Sequence, residues 1–428
     1  MENRYDKYKD SGIAWIGEIP EHWEVKKGKN LFKKEERPVR DNDEIITCFR
    51  DGEVTLRSNR RTDGFTNAMK EVGYQGVRKG DLVIHNMDAF AGAIGVSDSD
   101  GKSTPVYSVC TPKNNKEADV YYYAYLLRSY ALGGVIQSLA KGIRERSTDF
   151  RYKEFGDLFY QQPPIHEQQS IATYLDQKCS EIDELITLQE EMITKLQSYK
   201  QSVITEAVTK GLDKNVPLKD SGIEWIGKIP EHWNIIKTKN AFKIISGATP
   251  KTDNMTYWDG EITWITPADY KTEDKVIKSG KRNITLAGLN SCGTSIVPEN
   301  SIIFSKRAPI GLVAINIVPL CTNQGCISCI PKSFVNSKYF YYLMSVLTEW
   351  FELFGSGTTF KELSTNNFAN FSLSQPPLSE QQSIADYLDQ KCSEIDELIS
   401  IKQQKIEKLK DYKKSLIFEC VTGKRKVS

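Results

Sequence analysis

The chain has 428 residues, of which 39% are hydrophobic, 10% aromatic and 26% charged. That excludes a disordered chain and leaves material for two to four ordinary domains. Its 57 Lys and Arg balance 56 Asp and Glu, so no uniformly basic surface points to nucleic acid, and any binding face must come from local charge. Nine cysteines in no regular framework, a start without an apolar signal core, and apolar runs short of a membrane helix together predict a cytoplasmic protein with reduced thiols.

In chain order, the first feature is KDSGIAWIGEIPEHW at 9–23. It returns as KDSGIEWIGKIPEHW at 219–233, with thirteen of fifteen positions identical at an offset of 210. An internal repeat of this kind governs the rest of the reading. Trp15, Trp23, Trp225 and Trp233 are expected to anchor each variable stretch to a neighbouring helix, with a partner surface as the other reading. His22 and His232 are expected to pack or cap, because no nucleophile accompanies both copies.

Residues 24–163 form the first variable stretch. It carries Arg57-Ser58-Asn59-Arg60-Arg61, the apolar segment DLVIHNMDAFAGAIG (81–95) and KGIRERSTDF (141–150). Gly101-Lys102-Ser103 is half a phosphate-binding loop, but Val96 stands where its first glycine belongs, so that reading is rejected.

PIHEQQSIATYLDQKCSEIDELI (164–186) then returns as PLSEQQSIADYLDQKCSEIDELI (377–399), with twenty of twenty-three positions identical at an offset of 213. Pro163-Pro164 and Pro376-Pro377 stop what precedes, and no Gly or Pro follows until Gly211 and Gly423. Each stretch predicts a helix of about 42 residues, roughly 60 Å long. Ser379 and Gln382 have the spacing of a capping box, and His166 is a weaker cap in the first copy. Leu175, Ile182, Gln189, Leu196 and Val203 share one heptad position; Leu185, Met192 and Tyr199 share a second, flanked by Cys179, Ile186 and Ile193. The second copy repeats this with Leu388, Ile395, Lys402, Leu409 and Leu416, then Leu398 and Tyr412, then Cys392, Ile399 and Ile406. This is a coiled-coil pattern. Helix packing is predicted through Leu175, Ile182, Leu185, Leu196, Leu388, Ile395, Leu398 and Leu409, with Gln189 and Lys402 fixing register. Unbroken helices this long are uncommon inside compact domains, so the two copies are expected to pack on each other rather than serve as two separate core helices, and two-fold-related halves of one chain would pair them as an antiparallel coiled coil. The end of the second helix then lies near the start of the first variable stretch.

The second variable stretch, 234–376, shares little sequence with the first. The expected organisation is α+β, with a pseudo-two-fold tandem repeat: a globular domain over 1–163, a long helix over 164–211, a second globular domain over 212–376, and a long helix with tail over 377–428. A repeated frame with unlike inserts implies one job done twice by two different readers.

These motifs, in this order and in duplicate, resemble the specificity subunit of type I restriction–modification enzymes over nearly the whole chain. The second variable stretch matches that family in SGATPKTDNMTYWDGEITWITPADY (246–270), SIIFSKRAPIGLVAI (301–315), TNQGC (322–326) and GSGTTFKEL (355–363). The resemblance implies two target recognition domains, each reading half of an asymmetric, bipartite site in double-stranded DNA. The helices would hold them about one helical turn, roughly 34 Å, apart. It implies two modification (methyltransferase) subunits and restriction (endonuclease) subunits as partners. S-adenosylmethionine, ATP and Mg belong on those partners, and this chain carries no catalytic residue, cofactor or metal. Glycine-freed backbone N–H groups, Thr hydroxyls and Lys suit phosphates, and Arg, Asn and Gln suit base edges. Candidate DNA contacts in the second stretch are Thr249, Lys251, Tyr257, Lys306, Arg307, Thr358, Thr359 and Lys361. The first stretch departs from the pattern, and its candidates are Arg57, Arg60, Arg61, Asn86, Lys141, Arg144 and Arg146. Asn323 and Gln324 are expected to support their loop.

Two other readings compete: a two-headed scaffold for protein partners, and a self-contained methyltransferase. The second is opposed by QQPPI and SQPPL, in which Gln162, Gln375, Ile165 and Leu378 replace the acid or amide and the aromatic of an adenine-methylating motif. Cys326, Cys329 and nearby Cys321 form a lone knuckle, short of the four ligands of a zinc site, and read as buried thiols.

Overall fold

The computed structural model describes residues 4–60, 72–138, 149–271, 274–356 and 361–427. The protein is α+β and divides into two compact units, Met1–Glu190 with Gln404–Ser428, and Glu191–Gln403. Two long helices, Ile165–Lys210 and Leu378–Val421, each contribute to both units. No described helix is long and apolar enough to cross a membrane.

The first unit is built on a four-stranded antiparallel sheet in the order Phe32–Lys34, Tyr107–Pro112, Leu82–His85 and Ile94–Val96. Helix Val120–Leu132 covers it and buries Tyr122, Tyr123, Leu126 and Leu127. The second unit has a five-stranded sheet in the order Phe242–Ser246, Cys326–Pro331, Ile302–Ser305, Val313–Asn316 and Val276–Ile277. Helix Ser337–Ser345 is the counterpart cover. This unit adds a three-stranded sheet, Arg282–Ile284, Trp258–Ile265 and Cys321–Thr322, around Trp258 and Trp264.

The repeated sequence folds the same way twice. Glu24–Lys27 pairs antiparallel with Phe159–Gln162, and Asn234–Lys237 pairs with Ser372–Gln375 in the same register. The 9–23 and 219–233 motifs each form a short hairpin whose last tryptophan, Trp23 or Trp233, is fully buried. Trp23 Nε1 donates to Glu167 Oε2 at 3.0 Å, and His22 Nε2 lies 2.6 Å from Glu167 Oε1. Trp233 and His232 make the same two contacts with Glu380, at 2.9 and 2.6 Å. The hairpin is therefore clasped to the first turn of a long helix. Trp225 packs on Phe371 and Trp350 and donates to the Ser372 carbonyl, whereas Trp15 is 42% exposed.

Buried glutamines complete each joint. Gln168 accepts from Asp119 N and donates to the carbonyls of Glu117 and Pro163, while Gln381 accepts from Asn336 N and donates to those of Phe334 and Pro376. The glutamines of QQPPI also serve the frame: Gln161 accepts from Tyr130 and donates to the Val421 carbonyl, and Gln162 donates to the Glu117 carbonyl. The C-terminal carbonyls that a helix leaves unpaired are met in the same way. Tyr122 donates to Val421 O at 2.9 Å and Tyr339 to Val208 O at 3.1 Å. Gly211 and Gly423 follow the helices at φ +76° and +74°. A Cβ at Gly423 would stand 2.5 Å from the Pro20 ring and 3.0 Å from Trp23, so this glycine is needed both for its left-handed backbone and for close approach.

In the first unit Leu175, Ile182 and Leu416 share one core; in the second, Val203, Ile204, Leu388 and Cys392 do. Early residues of one helix thus meet late residues of the other, and the pair is antiparallel in each unit. Lys413–Asp183 at 2.6 Å and Lys200–Asp396 at 2.7 Å flank the two seams. Ile395 is buried, and Leu196 and Leu409 are half-buried.

The second predicted heptad position needs correction. Leu185 and Leu398 are 44% and 47% exposed and do not pack between the helices. The seam instead alternates Leu175, Cys179, Ile182, Ile186 and Gln189. Each helical residue advances about 100°, so Leu185 turns about 60° away from Ile182 on the side opposite Ile186. The capping box is also displaced: the helix begins at Leu378, which places Ser379 inside its first turn.

Candidate nucleic-acid interface

In the second unit, strand Ile302–Ser305 ends at Lys306-Arg307, and three loops gather there. Lys306 N donates to Gly325 O at 2.9 Å, and Leu363 N donates to Lys306 O at 2.8 Å. Ala248 N donates to Thr322 O at 3.0 Å. A Cβ on Gly247 would lie 2.2 Å from the carbonyl oxygens of both Thr322 and Asn323, so only glycine lets these backbones meet. Thr249 donates to Gln324, and Asn323 Oδ1 accepts from Gly325 N at 2.9 Å. Asn323 and Gln324 thus support the loop, as expected.

Glu362 holds the cations of this site. It lies 2.9 Å from Lys306 Nζ and 2.9 Å from Arg307 Nε. Lys306 is only 12% exposed, against 47% for Arg307. Burial pushes the Glu362 carboxyl up, but hydrogen bonds from Lys306 and Arg307 outweigh it and hold the group below its ordinary value. Lys361 is exposed beside it. Glu362 is not among the candidates drawn from GSGTTFKEL; the only signal in the sequence is an acid beside Lys361 in that motif. Lys251 is exposed and its carbonyl accepts from Trp258 Nε1, while Tyr257 packs with the Trp258 cluster. Thr358 and Thr359 lie outside the described residues.

In the first unit, strand Leu82–His85 exits into Asn86, which takes the place of Lys306. Asn86 N donates to Val106 O at 3.0 Å, and Phe150 N donates to Asn86 O at 3.1 Å. The backbone joint is the same, but the chemistry is neutral. Asn86 is 7% exposed, and its Oδ1 accepts from Ser108 Oγ at 2.8 Å. Arg60 is paired locally: its guanidinium contacts Asp51 and Glu53 at 2.6 and 2.7 Å and covers the Phe49 ring. The hydrogen bond to Asp51 raises its pKa. Arg57 is half-buried at a single turn, Arg57–Asn59, with Nε 3.4 Å from Thr47 Oγ1. Arg61, Lys141, Arg144 and Arg146 lie outside the described residues.

Sequence reasoning also missed Lys34, Arg151 and Lys153, which border a cavity at the Asn86 exit. Strand pairing and the Phe150–Asn86 bond bring them together, and no motif announced them. Among the described residues no cluster of three or more His, Cys, Asp or Glu could hold a metal. Cys326 and Cys329 are buried, and burial pushes the Cys326 thiol up to about 12.

The long helices expose apolar side chains at repeated positions. Leu185, Leu188 and Tyr412 are exposed in the first unit, and Leu398, Ile401 and Tyr199 in the second.

Residues 230–411 match the family model described as type I restriction modification DNA specificity domain. The specificity subunit of the type I restriction enzyme MjaIX from Methanocaldococcus jannaschii is 40% identical over 185 residues, 42% of each chain. The putative MjaX specificity subunit of the same organism is 27% identical over 431 residues, 96% of each chain. Among solved structures, one described under complex assembly and conformational transition of the type I R-M system aligns with a TM-score of 0.72 at 16% identity, covering 94% of this chain and 98% of that one. The HsdS subunit from Thermoanaerobacter tengcongensis aligns with 0.58 at 17% identity, covering 95% and 98%. At these identities the two structures speak for the fold alone.

Proposed function

We propose that this chain, which belongs to the type I restriction–modification specificity subunits, reads a bipartite and asymmetric site in double-stranded DNA, one half through the variable part of each unit. The long helices dock two modification subunits, and restriction subunits join that assembly. Methyl transfer from S-adenosylmethionine and ATP- and Mg-dependent cleavage take place on those partners, and this chain does no chemistry itself. The observation that carries the reading is the pair of strand exits: an identical backbone joint presents Lys306, Arg307 and Glu362 in one unit and Asn86 with Ser108 in the other. Two readers with unlike chemistry suit two unlike half-sites. The exposed Leu185, Leu188, Leu398 and Ile401 supply apolar surface for a protein partner.

The test is to co-express the chain with its methyltransferase subunits and sequence host DNA for methylated adenine. A split, asymmetric motif that disappears when this chain is deleted supports the reading. Exchanging residues 24–163 for another reader should then change one half-site and leave the other intact; a change in both sinks the two-reader account. A stable complex without any motif, and without salt-sensitive DNA binding, favours a protein scaffold instead.

A further inference from the structure

In the second unit, strands Ile302–Ser305 and Val313–Asn316 pair antiparallel, with Phe304 against Val313, and the chain turns between them. Arg307, Ala308 and Pro309 form the exposed tip of that turn, while Ser305 before it and Ile310 after it are buried. The tip is fixed through its backbone. Ser305 Oγ donates to Arg307 O at 2.8 Å, Gly311 N donates to Ser305 O at 2.9 Å, and Leu363 N donates to Lys306 O at 2.8 Å. Arg307 and Glu362 stand opposite each other as an antiparallel bridge. The two cations of the turn differ in use. Lys306 is mostly buried, and its ammonium lies on Glu362 Oε1, so it completes the turn. Arg307 is half exposed, and Glu362 Oε2 accepts from its Nε at 2.9 Å. Nε is one of the five donors of a planar guanidinium, and the two terminal nitrogens form a separate fork. Among the described residues, the bond from Nε is the only side-chain hydrogen bond that Arg307 makes.

We propose that Arg307 is the base-reading side chain of the second unit, that its terminal fork takes the N7 and O6 edge of a guanine in the major groove, and that Glu362 is the positioning residue that aims it. The assignment rests on the DNA-reading function proposed above and names what the second unit reads. A two-stranded ribbon fits the major groove, and a guanidinium fork matches the two acceptors of guanine. A side chain already tied at Nε and at its backbone loses less freedom on binding. A phosphate contact is the alternative, and the carboxylate argues against it. Glu362 repels a phosphate brought to the same guanidinium, whereas the neutral edge of a base meets no such penalty. A cation that serves the backbone alone also needs no fixed aim, because phosphate contacts carry no sequence information.

The experiment uses the full chain in complex with its methyltransferase subunits, and reads host methylation together with binding to duplexes altered one base pair at a time. The half-site that survives exchange of residues 24–163 belongs to the second unit and should contain a G·C pair. Arg307→Gln should lower the preference for that pair roughly tenfold or more, at one position only, with the other half-site as the internal control. Glu362→Gln keeps an oxygen for Nε but removes the charge, and should relax the same position, and no other, by a smaller factor. An Arg307→Gln complex that keeps its full preference overturns the proposal. So does one that binds all sequences equally more weakly with a salt slope lower by nearly one, the signature of a phosphate contact. A second-unit half-site built of A·T pairs alone overturns it as well. A Glu362→Gln complex that relaxes no position, or weakens all sequences alike, makes the carboxylate merely structural and overturns the positioning role. Should that variant fail to fold, Glu362→Asp, which keeps the charge but draws the carboxylate back by one methylene, is read by the same criteria. A wild-type complex that shows neither motif nor salt-sensitive binding fails at the level of DNA reading itself, before Arg307 is in question.

Discussion

The strand exits of the two units differ in charge while their backbones agree. In the second unit a mostly buried ammonium is neutralised by Glu362, which also holds Arg307. In the first, the same position holds an amide whose oxygen accepts from the Ser108 hydroxyl. The frame around both is set by groups that recur in the repeat: a tryptophan and a histidine on a helix-start glutamate, a glutamine that ties three backbone groups, and a tyrosine on the last helical carbonyls. The exit itself is joined through backbone groups alone, so the same joint carries a lysine in one unit and an asparagine in the other.

The strongest way to break this comparison is to attack the frame. Trp23→Ala and Trp233→Ala each remove a fully buried indole and should cost about 3–5 kcal/mol, read as lost denaturant resistance of the intact chain. Costs that differ by more than 2 kcal/mol would mean the two clasps are not equivalent, whatever their geometry. At the exits the units should separate instead. Glu362→Gln leaves the Lys306 ammonium without its anion and should cost about 1–3 kcal/mol, whereas Ser108→Ala removes one neutral hydrogen bond and should cost about 0.5–1.5 kcal/mol. Equal losses would show that charge is not what distinguishes the two exits.

The long helices, their antiparallel pairing and the anchoring role of Trp23 and Trp233 were legible because each rests on local pattern: heptad spacing, absence of Gly and Pro, and an aromatic in a repeated turn. The seam's second position was misjudged because Leu185 and Ile186 both lie within reach of it, and only the partner helix chooses between them. The candidate site was legible where its residues are close in sequence, as with Lys306, Arg307 and Gln324. Glu362, Lys34 and Arg151 were not, since they reach the site only through strand pairing and loop contacts between distant segments. Arg60 pairs with Asp51 and Glu53, neighbours that a run of cations in the sequence does not reveal.

Acid should expose the first unit's clasp. Burial pushes Glu167 up, but donors from Trp23, His22 and Tyr5 outweigh it, so its folded pKa lies below the ordinary value of 4.5. A carboxylate with a depressed folded pKa stabilises above its unfolded pKa and loses that contribution as pH falls through the folded one. The melting-temperature gap between wild type and Glu167→Gln should therefore be full near neutral pH and shrink below about pH 4.5. A gap that stays constant down to acid precipitation would remove the charge from the argument and leave only packing.

The smallest effect on stability is expected on the exposed helix faces, and it sharpens the contrast most. Leu185 and Leu398 occupy equivalent places in the repeat and neither packs in a seam. Leu185→Ser and Leu398→Ser should each shift unfolding by no more than about 0.5 kcal/mol. Their proposed use is in holding modification subunits, so each variant should bind fewer of them, measured as the mass of the assembled complex. Loss of one modification subunit in either single variant, and of both in the double variant, would assign one docking face to each unit. A double variant that assembles fully would leave these leucines as ordinary surface residues, with the repeated apolar positions serving nothing beyond the frame.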